Sequence, residues 1–193
     1  MNTHPHTYQG TMETNTLTKW TIDPAHSEIQ FKVKHLMIST VTGSFQKFDA
    51  TIEAPGDDLS KAKVEFWADA SSITTGNEQR DAHLRTAEFF DTEKHPRITF
   101  VAKGTKSIDH DGSWDLIGDL TINGVTKQVT LAVEFEGALI DPYNNLRVGF
   151  SATSEINRED FGLSWNAALE TGGVVVGKQV KIEIEAEAVI PQG

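Results

Sequence analysis

Apolar and polar residues alternate without exception through Ile29-Gln30-Phe31-Lys32-Val33-Lys34. Such a stretch can present one dry face only as a strand, because strand side chains reverse sides at every residue while a helix needs three- and four-residue spacing. The pattern returns near the carboxyl end, where Val180, Ile182, Ile184, Ala186 and Ala188 interleave with Lys181, Glu183, Glu185 and Glu187. Further segments place apolar residues at every second position: Phe48/Ala50/Ile52, Val64/Phe66/Ala68/Ala70, Ile98/Phe100/Ala102, Trp114/Leu116/Gly118/Leu120/Ile122, Val129/Leu131/Val133/Phe135 and Leu146/Val148/Phe150/Ala152. The resulting total of eight strands suits a small closed barrel.

Short connections favour antiparallel neighbours. Asn123-Gly124 marks a tight reversal, and Asp141-Pro142-Tyr143-Asn144-Asn145 a broader turn. Parallel strands would need crossover helices, yet one substantial helical interval stands out, about 77–90, with lesser ones near 36–39 and 157–161. The expected fold is all-β: an eight-stranded antiparallel barrel with one main short helix and minor helical turns. Residues 1–18 read as a flexible amino-terminal tail and 19–193 as the barrel domain.

Seventeen Lys and Arg against 28 Asp and Glu leave a net charge of −11, which disfavours nucleic acid and anionic membrane surfaces as partners. The absence of cysteine excludes disulfides, thiolate metal sites and cysteine nucleophiles. With no apolar run long enough to span a bilayer as a helix, the chain is expected to be soluble. The tail lacks the cationic start and apolar stretch of a secretory signal, which points to the cytoplasm, or to the periplasm or exterior if a leader has been removed. His4 and His6 in that tail are metal-capable, but two ligands on a flexible segment make no specific site. A homodimer is compatible with the sequence, although no heptad or exposed apolar stripe marks one.

Small residues recur in the inward rows: Ala50, Ala68, Ala70, Ala102, Gly118, Ala152, Ala186 and Ala188. Large residues from opposite walls either interdigitate over them and fill the axis, or leave an apolar tunnel; periodicity does not choose. Phe31, Val33, Phe66, Phe100, Leu120, Leu131, Phe150 and Ile182 are the candidate tunnel walls, each from an inward position. Trp114, Phe161 and Trp165 are further candidates that suit an ordinary core equally well. In the helical interval, Arg80, His83, Leu84, Ala87 and Phe90 share one side, with Glu78, Asp81, Arg85 and Glu88 mostly around the other. Arg80 and His83 are thus candidate head-group contacts, unless both bond nearby loop carbonyls. Asp81 and Arg85, four apart, are spaced for an exposed ion pair, and Arg158, Glu159 and Asp160 read as shaping a turn.

Specific motifs follow one another in order. Trp20-Thr21-Ile22-Asp23-Pro24-Ala25-His26-Ser27 leads to Phe31-Lys32-Val33-Lys34-His35-Leu36, Val41-Thr42-Gly43-Ser44-Phe45 and Ser72-Ile73-Thr74-Thr75-Gly76-Asn77. Arg80-Asp81-Ala82-His83-Leu84-Arg85, Phe89-Phe90-Asp91, His95-Pro96, Gly118-Asp119-Leu120-Thr121-Ile122-Asn123-Gly124-Val125-Thr126 and Arg158-Glu159-Asp160-Phe161-Gly162-Leu163-Ser164-Trp165 complete the set. Across about 20–190 the chain resembles the YceI-like family. The resemblance implies a lipocalin-like barrel whose cavity holds a long isoprenoid or other amphiphilic lipid, bound without catalysis.

Hydrolytic fragments exist in His26-Ser27 and in Asp81 with His83, but there is no nucleophile elbow, Walker loop, dinucleotide fingerprint or zinc-protease motif. Asp81-Ala82-His83 and Asp109-His110-Asp111 are metal-capable without specifying a complete coordination sphere. No catalytic residue, metal ligand or cofactor is assigned, and the expected bound species is an isoprenoid, quinone or fatty-chain lipid. A lipid-modifying enzyme and a solid barrel acting through its outer surface are the alternatives. For a carrier, chain length should control affinity: at about 0.3 kcal/mol per non-hydrogen atom, each isoprene unit contributes roughly 1.5 kcal/mol. Six to eight units reach roughly 9–12 kcal/mol when fully enclosed.

Overall fold

The structure is a computed structural model that describes residues 16–56, 58–106, 109, 111–170 and 172–190. Its strands, in chain order, are β1 (Leu17–Ile22), β2 (Glu28–His35), β3 (Ser39–Phe45), β4 (Phe48–Pro55), β5 (Lys63–Asp69) and β6 (Ile73–Thr74), then β7 (Arg97–Lys106), β8 (Ser113–Ile122), β9 (Val125–Ile140), β10 (Leu146–Asn157) and β11 (Val176–Ile190). Helix α1 (Glu78–Arg85) lies between β6 and β7. The order β1-β4-β5-β7-β8-β9-β10-β11 closes through β1 pairing with β11, giving an eight-stranded antiparallel barrel.

The remaining strands lengthen that barrel. β2 takes over from β1 along β11, β3 pairs with β2, and β6 pairs with β3, so three staves are each made of two strands in series. Local chemistry makes the breaks. Between β1 and β2 Pro24 has no N–H to give a ladder with β11, and Asp23 caps the turn there by accepting from Ala25 N at 3.0 Å. At the β5–β6 break Asp69 accepts from Ser71 N, also at 3.0 Å.

Each of the eight strands expected from periodicity lies in its own stave, but the expectation omitted β1, β3 and the two-residue β6. Ser39-Thr40-Val41-Thr42-Gly43-Ser44 carries too little apolar contrast for a period-two signal, and becomes a strand because β2 offers it a full ladder. The helical turn expected near 36–39 is instead a hairpin turn, with Leu36 and Met37 at φ of 51° and 64°, a left-handed conformation that no α-helix of L-residues sustains. β1 starts at Leu17, inside the span expected to be tail. Residues 1–15, with His4 and His6, and His110 of the acidic Asp109–Asp111 segment lie outside the described residues.

The turns follow their residues. Asn123 and Gly124 adopt φ of 52° and 73°, the two positive values a tight hairpin turn of this kind needs. Asp141 shapes the β9–β10 turn by accepting from the backbone N of Tyr143 and of Asn145, each at 2.9 Å.

The helix ends at Arg85, short of Phe90, because Thr86 turns to extended backbone and donates its N–H to His83 O. Asp81, expected on the outer side, is buried and accepts from Thr75 N at 2.9 Å and Thr75 Oγ1 at 2.6 Å. Arg85 donates to Ser71 O at 2.8 Å and Ile73 O at 3.2 Å, so the expected Asp81–Arg85 ion pair does not form. Fixed partners in the β5–β6 stave outcompete a solvent-exposed pair worth about 0.3–0.5 kcal/mol. These contacts hold α1 over one end of the barrel.

At the far end Trp20, Ile52, Ala54, Val148 and Ala188 form a separate buried cluster. Outside it, Arg147 donates to Asp23 Oδ2 at 2.6 Å and Glu187 Oε2 at 2.7 Å, tying β10, β11 and the end of β1. The Arg147 bond, followed by that of His26, lowers the Asp23 carboxyl from 3.8 to about 2. A depressed carboxylate stabilises the fold above its unfolded value and loses that contribution as pH falls through the folded one. Arg147→Gln should therefore lower stability above about pH 4 and converge with wild type near pH 2. Urea titrations across that range check this; a constant offset at every pH would refute it.

Candidate functional site

The barrel interior is hollow. A cavity of about 280 Å³ runs within it, near the lower bound of the roughly 300–1,000 Å³ usual for small-molecule sites. Side chains from every stave line it, which resolves the open choice between a filled axis and a tunnel in favour of space. The small residues Ala50, Ala68 and Ala186 are part of that lining.

Phe31 and Val33 on β2, Phe66 on β5, Phe100 on β7 and Leu120 on β8 border the cavity. Leu131 on β9, Phe150 on β10 and Ile182 on β11 complete the candidate wall. Two of the rings are held flat against neighbouring strands by glycine. A Cβ on Gly43 would lie 2.2 Å from Phe31 Cζ, and one on Gly118 2.4 Å from Phe100 Cζ, so only the bare backbone leaves these rings room to lie back from the axis.

The other three aromatic candidates are not among the lining residues. Trp114 stands edge-on to Phe150 with centroids 6.2 Å apart. Phe161 is buried in the main core. Trp165 lies over the covered end, 5.0 Å from the His83 ring and 5.4 Å from Phe89. Of that aromatic group Phe89 reaches the cavity, together with Leu84 and Phe90 from the same segment.

Arg80 and His83 also stay outside the lining. Arg80 is exposed, with Nε donating to Thr75 Oγ1 at 2.7 Å and Nη2 to Thr75 O at 2.9 Å. His83 sits between Phe89 and Trp165 and bonds Glu88 through Nε2. Among the hydrolytic fragments, His26 is exposed and bonded to Asp23, while Ser27 Oγ accepts from Glu187 N at 3.0 Å. Asp23, His26 and Glu187 come close together, but two of them are bonded by the Arg147 guanidinium, a cation already in place.

Among the residues that sequence reasoning did not place at this site is Arg158. It is buried, borders the cavity, and is enclosed by backbone carbonyls of the loop after β10 and of β11. Burial pushes its guanidinium below the usual arginine range. The signal was present: the inward row of β10 runs Val148, Phe150, Ala152, Ser154, Ile156, and continuing it by two reaches Arg158. The adjoining Glu159 and Asp160 disguised the position as a solvated charged turn.

A barrel, a hollow apolar axis and one inward arginine can be set beside known proteins. The YceI-like domain model matches residues 20–188. The chain belongs to the YceI-like family. A UPF0312 protein of Staphylococcus epidermidis is 46% identical over 172 residues, covering 89% of this chain and 97% of that protein. The Campylobacter jejuni YceI protein is 32% identical with a TM-score of 0.69, over 82% of this YceI-like chain and 90% of the other. A polyisoprenoid-binding domain from Saccharophagus degradans shares the fold at 18% identity and a TM-score of 0.66, over 91% of this chain and all of the other. No helix among the described residues is long and apolar enough to cross a membrane.

Proposed function

We propose that this protein binds a long-chain isoprenoid, quinone or other amphiphilic lipid inside its barrel and carries or sequesters it unaltered. One observation carries the reading: an apolar cavity lined from all eight staves, in a protein whose sequence provided small residues where large ones would have filled it. Unfilled space forfeits dispersion contacts along its walls, and an alkyl chain restores them while leaving water. Family membership, together with the fold shared with a domain described as polyisoprenoid-binding, supports the same class of cargo.

Native mass spectrometry of the full chain, followed by organic extraction, tests the proposal. The expected result is a mass excess released as an intact prenyl or fatty-chain lipid, and reuptake of the same lipid by the stripped protein. A bare chain that takes up no added polyprenol would sink the reading. Turnover of the recovered lipid on incubation would replace carriage with enzymatic modification.

A further inference from the structure

A lipid cargo has a head as well as a tail, and the cavity contains one feature that hydrocarbon does not require. Arg158 is 3% exposed and borders the apolar space alongside Ile156, Leu163 and Val176. Its Nε donates to Gly177 O at 2.7 Å, its Nη1 to the carbonyls of Leu163 and Trp165, and its Nη2 to Val176 O at 3.3 Å. A guanidinium carries five N–H donors. These four bonds leave one Nη2 hydrogen without an acceptor among the described residues.

The bonded carbonyls supply dipoles and no net charge. Arg158 makes no ion pair among the described residues, and its neighbour Glu159 is engaged by Lys178 Nζ at 3.3 Å. Glu185, the other charged residue at the cavity border, is exposed and alternates with the inward Ile184 and Ala186 on β11. Glu159 favours the charged form of Arg158 only through space, and a cation taken this far from water without a bonded counter-charge is strongly disfavoured. Fastening the loop after β10 to β11 accounts for the four carbonyl bonds, but not for a guanidinium without a bonded carboxylate against an oil-lined cavity.

We infer that Arg158 receives an anionic head group, so that a prenyl or fatty chain bearing phosphate or carboxylate lies with its head toward the end covered by α1 and its tail toward Trp20. The one unengaged Nη2 N–H can donate a single charge-assisted bond to either anion, and apolar surroundings strengthen that bond. This assignment rests on the lipid-binding reading, and the test separates the two.

Full-length protein stripped of lipid is titrated with geranylgeraniol, geranylgeranyl phosphate and geranylgeranoic acid, which share one chain. At least one anionic probe should bind about tenfold tighter than the alcohol, a difference of about 1.4 kcal/mol, and comparing the two acids identifies the preferred head. R158Q should erase the preference, so that the variant binds all three probes alike, and R158K should keep part of it. Equal wild-type affinity for all three probes, or a preference that survives in R158Q, overturns the inference. If R158Q does not fold, a crystal structure of the wild-type complex decides: an anionic oxygen within hydrogen-bond distance of Arg158 supports it, and a head at the Trp20 end overturns it. Failure of wild type to bind any of the three defeats the lipid-binding reading itself.

Discussion

Ala68→Phe should weaken binding of an eight-unit prenyl chain about tenfold or more and leave a short prenyl chain nearly unaffected. Ala68 is 1% exposed, borders the cavity, and sits between Phe48 on β4 and Ile98 on β7 in the strand register. A phenyl ring projected from there occupies space that one isoprene unit would otherwise fill. The loss of one unit, roughly 1.5 kcal/mol, corresponds to about a tenfold rise in Kd. Because Ala68 also belongs to the buried core, the larger ring should in addition lower stability by about 1–3 kcal/mol. Titration of wild type and variant with a length series of polyprenols, beside thermal melts, checks both halves. Equal losses at every length would show that Ala68 does not set the depth of the site.

Trp20→Ala should destabilise the fold by about 3–5 kcal/mol, the range for deleting a large buried aromatic. The indole is fully buried within the cluster that closes the far end, and β1 holds it opposite Ile52 on β4. Its Nε1 has no hydrogen-bond partner among the described residues. Leaving a buried donor unmet costs about 1–3 kcal/mol, so part of what the ring contributes by burial is already offset. Trp20→Phe removes the unmet donor together with some volume and should cost clearly less than Trp20→Ala. Urea unfolding of the three proteins provides the comparison; equal losses in both variants would mean that a phenyl ring recovers nothing of what the indole contributes.

Much of the site was legible because alternation is a local property that a closed sheet preserves. Phe31, Val33 and Ile182 face inward because strand parity commits them to one side, and hydrogen-bonded register carries that side around the barrel. Polar strands lacked that signal. β3 exists through its hairpin ladder to β2, and β1 through ladders to β4 and β11 that are not local in the chain. The helix misled for a related reason. Its three- and four-residue spacing placed Arg80 inward and Asp81 outward, but Thr75 provides fixed partners that reverse the assignment. Short helices take their orientation from such anchors more than from weak amphipathicity.

The amino-acid order by itself determined the strands with apolar contrast, the faces they turn inward, the Asn123-Gly124 and Asp141 turns, and the small residues that thin the wall. These follow from backbone geometry acting within a few residues. Only the tertiary structure decided that the axis stays open and that Arg158 comes to rest at its edge with no ion pair among the described residues. Both depend on how side chains from opposite staves meet, which is set by barrel closure between segments more than a hundred residues apart.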